Sequence, residues 1–420
     1  MTGGRAGQTR PGRHREKRRT GLPRDFRHLL SAAGLSQAGT QVRLIALPLV
    51  AVIILHATTF QAGLTATADT AAFLLIGLPA GAWVDRLRRR PVLVAADLVR
   101  AALVSTIPVA AAIGLLGLPQ LYVVAFTVGL ATVMFDVAHM SYVPFLAGRD
   151  QLIAGNARLE AVDFSAFTAG PAAGGLLVQL VAAPGALVAD AVSYLLSALL
   201  LGTIRAREPA PAVAAAERIH TAIRAGVRLV VRHPELRTVM ITGAMLMLAE
   251  TAWTAIQPVF LIRKLGLTPA VYGALLAAGA AGGLAGALGA SRIANRFGTP
   301  RVMRLALATT TPFILVMPFA RAGWPIALYA VGAFVSWFGS AVFNITQMSL
   351  RQNLCPPPML GRMNATMRFA MWGSMPLGGL IGGALGQLLG VRTALWIFGA
   401  FSVAATLPVL TRSWAGVSRG

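Results

Sequence analysis

Ionisable side chains are scarce in this sequence, and several stand where they are costly. Charged residues make up 12% of the chain against 56% hydrophobic ones, yet Arg43, Asp69, Asp97, Arg100, Asp136, Asp190 and Glu250 all fall inside long apolar runs. A charge in hydrocarbon persists only when it is paired, hydrogen-bonded or wet. The chemistry open to these residues is therefore ion pairing, proton exchange or recognition of a charged small molecule. At about 1.5 Å of rise per residue, Arg43 and Asp69 lie at matching depth and are expected to pair. Arg100 and Asp136 match in the same way, with Asp97 beside them. Glu250, in "MLAETAWTAIQPV", has no basic residue within a turn. It is read either as a group that exchanges a proton or meets a cation, beside Trp253 and Gln257, or as a satisfied packing residue. His139, one turn from Asp136, is either a hydrogen-bonded spacer or a proton carrier. Trp337, Phe343, Asn344 and Gln347 have the mixed character of an amphipathic, drug-sized pocket. Asp190 is as deep as the others and receives less weight.

Other chemistries find no footing. There is no Walker A sequence, no paired His or Cys at metal-binding spacing and no acidic cluster of a prenyl transferase. We expect no enzyme, cofactor or metal. The single cysteine, Cys355, excludes an internal disulfide and reads as a small apolar filler.

The elements that carry these residues follow from hydropathy. A mean hydropathy of +0.68 exceeds what a water-soluble domain tolerates. Runs of roughly 20 apolar residues, the length that crosses a bilayer, recur along the chain. Helix punctuation by Gly, Pro and charge places twelve spans at 27–55, 61–84, 91–115, 120–146, 153–182, 185–204, 238–262, 269–293, 300–320, 324–350, 360–389 and 391–411. No signal peptide is expected, because the first residues are basic and polar. A net charge of +23 sits mostly at the ends of alternate spans. That is the positive-inside pattern rather than a nucleic-acid surface, and it puts both termini in the cytoplasm of a multi-pass cell-membrane protein.

The organisation expected is a basic tail (1–26), a six-helix bundle (27–204), a cytoplasmic linker (205–237), a second bundle (238–411) and a short tail (412–420). Within the linker, "ERIHTAIRAGVRLVVRHPEL" has apolar residues at helical spacing with Arg opposite. It reads as an amphipathic helix on the anionic leaflet.

The two bundles echo one another. "FDVAHMSYV" at 135–143 answers "FNITQMSLR" at 343–351, Asn156-Ala157 answers Asn364-Ala365, and Asp85-Arg86 answers Asn295-Arg296. Halves of six spans face the same way, the arrangement of a parallel-repeat transporter. "GAWVDRLRRRP" at 81–91 resembles the signature after the second span of the major facilitator superfamily. "GPAAGG" at 170–175 resembles the motif its exporters carry in span five. "LSQAGTQVRLIALPL", "AADLVRA" and "LIAGNARLE" are similar to the branch holding macrolide, enterobactin and lysophospholipid exporters.

The resemblance implies an all-α fold with a substrate cavity lined by spans one, four, seven and ten. It also implies a latch in which Asp85 faces the N-terminus of span eleven, with Gly81, Arg86 and Arg90 at motif positions. Asp97, Arg100 and Asp136 extend this latch or else form fixed ion pairs, and Arg88–Arg90 also serve as a positive-inside stop. Gly170, Pro171, Gly174 and Gly175 either kink span five or simply pack it tightly. The sequence departs from the pattern at Arg88, Ser291, Asn295 and Thr40, and it lacks the span-four arginine signature of many proton antiporters.

These readings converge on a monomeric secondary exporter of an amphipathic small molecule, coupled to protons and surrounded by lipid. An importer or lysophospholipid flippase of the same fold is the nearer alternative, and a membrane sensor that moves nothing is the more distant one.

Overall fold

The computed structural model describes residues 23–77, 79–84, 86–148, 151–206, 208, 219–356 and 359–412. Asp85 and both terminal tails beyond these limits lie outside the described residues. Every regular element among them is helical. Helix α1 runs Arg24–Leu49 and continues in wider turns to Ile54. It is followed by α2 (Thr59–Ile76), α3 (Pro79–Val84), α4 (Arg89–Ala112), α5 (Leu118–Ala147), α6 (Leu152–Gly202) and α7 (Ile219–Arg232). Next come α8 (Pro234–Pro258), α9 (Pro269–Phe297), α10 (Thr299–Thr310), α11 (Ile326–Leu354), α12 (Leu360–Trp372), α13 (Met375–Leu389) and α14 (Val391–Thr411). Nine helical stretches among the described residues are long and apolar enough to cross a membrane.

Local chemistry explains the boundaries. Thr58 accepts from Gln61 N at 3.2 Å while Gln61 Oε1 accepts from Thr58 N at 2.8 Å. This reciprocal cap satisfies donors that α2 would otherwise leave open. Pro234 and Pro269 occupy first-turn positions, where no N–H is needed. Both backbone donors of Arg89 and Arg90 reach the Glu208 carboxylate at 2.7 Å, an anion at the positive end of α4.

Four expected spans are modified. The second is divided between α2, ending at Ile76, and α3, beginning at Pro79, and the eleventh is divided at Gly373–Ser374. The fifth and sixth form one element, α6, whose only non-helical residue is Ala182 (φ 59°). Gly155 lies against Phe26 and Thr203 bonds His28, so both ends of α6 meet the same end of α1. The chain therefore turns back at Ala182 into two antiparallel limbs. Helix α7 differs more. Gly226 packs on Thr366 and Arg362 of α12, and Val230 is fully buried among Leu236, Met363 and Met367. Its apolar face is thus largely occupied by protein, leaving Val227, Val231 and the arginines exposed.

The helices up to Gly202 and those from Pro234 onward meet along two glycine seams. In one, Gly63 of α2 lies against Gly379 and Gly383 of α13, and Thr67 donates to Pro376 O at 3.2 Å. In the other, Pro171 and Gly175 of α6 lie against Pro269 and Gly273 of α9. Small residues let backbones touch where no side chain would fit. Both seams lie toward the end that carries the 55–58 and 265–268 turns, here called the far end. Arg263 clasps it by donating to Ala57 O at 2.8 Å and Val52 O at 2.9 Å.

Toward the opposite, arginine-rich end the halves diverge. A Cβ at Gly81 would meet nothing within 4 Å. Among the described residues, contacts that still cross the gap include Phe73 with Trp372 and Leu74 with Gly373, then Arg368 reaching Met140 Sδ at 3.6 Å. Because hydrogen bonds to a charged group contribute about 1.5–3 kcal/mol, Arg263→Ala is expected to loosen the far end. In a Cys355→Ser background, a cysteine at the buried Thr59 should then be alkylated faster. An unchanged rate would show that the clasp is dispensable.

Candidate functional site

The wedge between the halves is bordered by α1, α5, the first limb of α6, α8 and α11. Along α6, Gly170 and Gly174 pack on Gln41, Val42 and Ile45 of α1, while Pro171 and Gly175 face α9. The motif thus serves two partners from two adjacent stripes. The backbone keeps helical dihedrals through Pro171, and the reversal of the chain sits at Ala182.

Phe167, one turn before Pro171, stacks on Trp337 of α11 with ring centroids 5.3 Å apart. Asp163 and Glu160 share the Phe167 face at helical spacing, are exposed, and lie one and two turns nearer the open end. Asp136 of α5 and Glu160 both act electrostatically on Asp163. Asp136 itself makes no ion pair among the described residues and feels Arg100 and, from the other half, Arg368. Glu250 on α8 is exposed, on the side opposite the Leu248–Ala252 edge that packs on Gly378 and Gly382 of α13. The wedge is thus floored by an aromatic pair and bordered by carboxylates.

Several expected pocket residues stand elsewhere. Trp253 and Gln257 are buried, and both donate to the Tyr329 hydroxyl, at 3.2 and 2.5 Å. One phenol oxygen satisfies both, so they brace α8 against α11 and do not line open space. Phe343 belongs to the apolar core with Met303 and Val409. Gln347 is buried and donates to Asn344 at 3.3 Å, leaving Asn344 exposed on the Trp337 face. His139 stacks on Phe135, and its buried Nε2 has no hydrogen-bond partner among the described residues, so it is not the bonded spacer considered above.

Behind this wedge a chain of charge crosses the first half. Arg43 Nη1 bonds Asp69 Oδ1 at 2.7 Å, and its Nε lies 3.9 Å from Asp190. Thr40 gives its hydroxyl proton to Ser36 O and meets Tyr194 Oη at 2.9 Å, so Tyr194 is the donor in that contact. Arg100 pairs with Asp97, and its guanidinium lies 4.3 Å from the Phe135 ring and 4.5 Å from the Tyr194 ring. The expected Arg100–Asp136 pair is therefore replaced by Arg100–Asp97. An Asp three residues before an Arg shares its helix face, and the two rings fix the guanidinium plane there.

The expected latch is only partly on view. Arg86 is exposed. Arg90 does not cross the gap in this state. It bonds Gly202 O and, at 3.0 Å, Leu201 O, fastening α4 to the end of α6 within one half. The sequence reading passed over Glu160, Asp163, Arg368 and Tyr194. The spacing of Glu160, Asp163 and Phe167 on one helical face was a signal available to it.

Comparison with known proteins agrees with this architecture. Residues 23–414 match the family described as transmembrane secretion effectors. The chain is 28% identical over 399 residues to the multidrug efflux pump Tap of Mycolicibacterium fortuitum, covering 91% of this chain and 92% of Tap. Among solved structures, it superposes on the nucleoside transporter NupG with a TM-score of 0.77, at 14% identity over 93% of this chain and 99% of that one. For a bacterial homologue of the iron transporter ferroportin in its inward-facing state the TM-score is 0.76, at 18% identity and the same coverage. With helices, seams and motifs all of this type, the chain belongs to the transmembrane secretion effector family of major facilitator transporters.

Proposed function

We propose that this transporter is a proton-coupled exporter of amphipathic small molecules, with a preference for those carrying positive charge. One observation carries the reading: the wedge is sealed at the far end by glycine seams, open at the arginine-rich end, and lined by Glu160, Asp163, Asp136 and Glu250 around the Phe167–Trp337 pair. The positive-inside bias makes the arginine-rich end cytoplasmic. A solute then enters from the cytoplasm or the inner leaflet, stacks its apolar part on the aromatic pair and sets its charge among the carboxylates. Rocking of the two halves about the seams exposes it outside. The multidrug efflux activity named for the relative Tap supports the direction and the breadth of substrate.

Everted vesicles with an imposed pH gradient test this, with ethidium and tetraphenylphosphonium as probes. Gradient-driven accumulation is expected, and Glu250→Gln should lower it at least tenfold while leaving protein level unchanged. Accumulation without a gradient, uptake only by right-side-out vesicles, or none with either probe would refute the reading.

A further inference from the structure

The charges around Arg43 and Arg100 do not balance. Three carboxylates, Asp69, Asp97 and Asp190, meet two guanidiniums, so the deprotonated set carries one surplus negative charge inside the first half. Asp97 has a partner in Arg100. Arg43 is shared, at 2.7 Å from Asp69 and 3.9 Å from Asp190. Asp190 is 0% exposed, and neither of its oxygens has a hydrogen-bond partner among the described residues. It lies against Gly39 of α1, where an added Cβ would fall 2.6 Å from Asp190 Oδ1. An anion left this poorly served in hydrocarbon is far more costly than a neutral acid.

From this geometry we infer that Asp190 is the site that takes up the coupling proton, an inference that rests on the exporter reading above. Asp69, the one of the three carboxylates with a partly exposed side chain, is the point of entry from water. A proton arriving there leaves Arg43 free to turn toward Asp190. Its transfer breaks the O–H bond on Asp69, forms one on Asp190 and returns Arg43 to the restored Asp69 carboxylate, the pairing seen here. Deprotonation restores the surplus charge and pulls Arg43 toward both acids at once. Since Arg43 is on α1 beside the wedge and Asp69 is on α2 beside a seam, this exchange acts on the elements that move. The groups facing Asp190 are Arg43 and Thr40 from α1, Asp69 from α2, Asp97 and Arg100 from α4, and Tyr194 from α6 itself. Of these, Arg43, Asp97, Arg100 and Tyr194 are buried and Thr40 carries no charge, so Asp69 is the partly exposed titratable group among them.

The test needs no substrate. The full-length chain is purified in detergent with Cys355→Ser, and spin labels are placed at Leu115→Cys and Leu388→Cys, both exposed at the far end. The distance between them is followed through a pH titration at constant salt. A one-proton transition between two distances is expected. Asp190→Asn should abolish it, and Asp190→Glu should keep it with a moved midpoint. If Asp190→Asn does not yield a monodisperse protein, the Glu variant decides: an unmoved midpoint overturns the proposal. So does an Asn variant that titrates like its parent, or a transition that follows Na⁺ at fixed pH. A failure of the exporter reading would look different, with vesicles idle while the purified protein still titrates through Asp190.

Discussion

Valine at Gly63 is expected to hold the protein open at its far end and to abolish transport. A Cβ there would stand 2.6 Å from both Gly379 O and Gly383 Cα. Those are backbone atoms of α13, and no rotamer change can clear them. Relief requires α2 and α13 to part, and parting them is the movement that opens the far side. Overpacking of a tight contact costs about 1–3 kcal/mol. Each 1.4 kcal/mol moves an equilibrium tenfold, so the closed state should lose roughly ten- to a hundredfold of its population. Gly273→Val, whose Cβ would meet Gly175 Cα at 2.9 Å, is expected to act through the second seam in the same direction. Alkylation of a cysteine at Thr59 should rise in both variants, and the Leu115–Leu388 label distance should lengthen. If both measurements match the parent protein, the seams are not what keeps the far end shut. Gly81→Val provides the contrast, because its Cβ meets open space and should leave this state unaffected.

Much of this was legible in the sequence because hydrocarbon is a severe solvent. Arg43 and Asp69 had to be accounted for, and depth alone paired them correctly. "GPAAGG" announced a helix stripped of side chains, and the structure shows why: Gly174 must touch α1 while Gly175 must touch α9. What sequence could not give is azimuth across the bundle. Asp190 stands on the second limb of α6, and only the reversal at Ala182 brings that limb against α1 beside Arg43. Trp253 and Gln257 share a face with Glu250, yet they are claimed by a tyrosine 76 and 72 residues away. Amphipathic periodicity in α7 correctly predicted a helix with one apolar face. It could not say that protein, rather than lipid, would cover the Gly226–Val230 stripe, because the covering residues Thr366 and Met367 lie far along the chain in α12.

Arg100→Leu is the substitution expected to cost most in stability. Arg100 is 2% exposed, pairs with the wholly buried Asp97, and its guanidinium carbon lies over the rings of Phe135 and Tyr194. Removing it leaves a carboxylate without a counterion in a dry interior, a loss of about 3–5 kcal/mol for buried pairs. Part of that loss belongs to the stranded anion and part to the vacated slot, and further substitutions separate them. Asp97→Asn combined with Arg100→Leu removes the stranded charge and should recover most of the stability, a coupling that independent sites would not show. Arg100→Lys keeps the charge but presents a compact ammonium where a plane is needed. It should fall between parent and Leu variant, lower than the parent by about 1 kcal/mol, the size of a cation–π contact. Thermal unfolding of the purified variants in detergent gives the order directly: parent, Lys, double variant near Lys, and Leu last. A Leu variant as stable as its parent would mean that Asp97 is already neutral, and the count of charges that assigns a proton to Asp190 would have to be redrawn around Asp97.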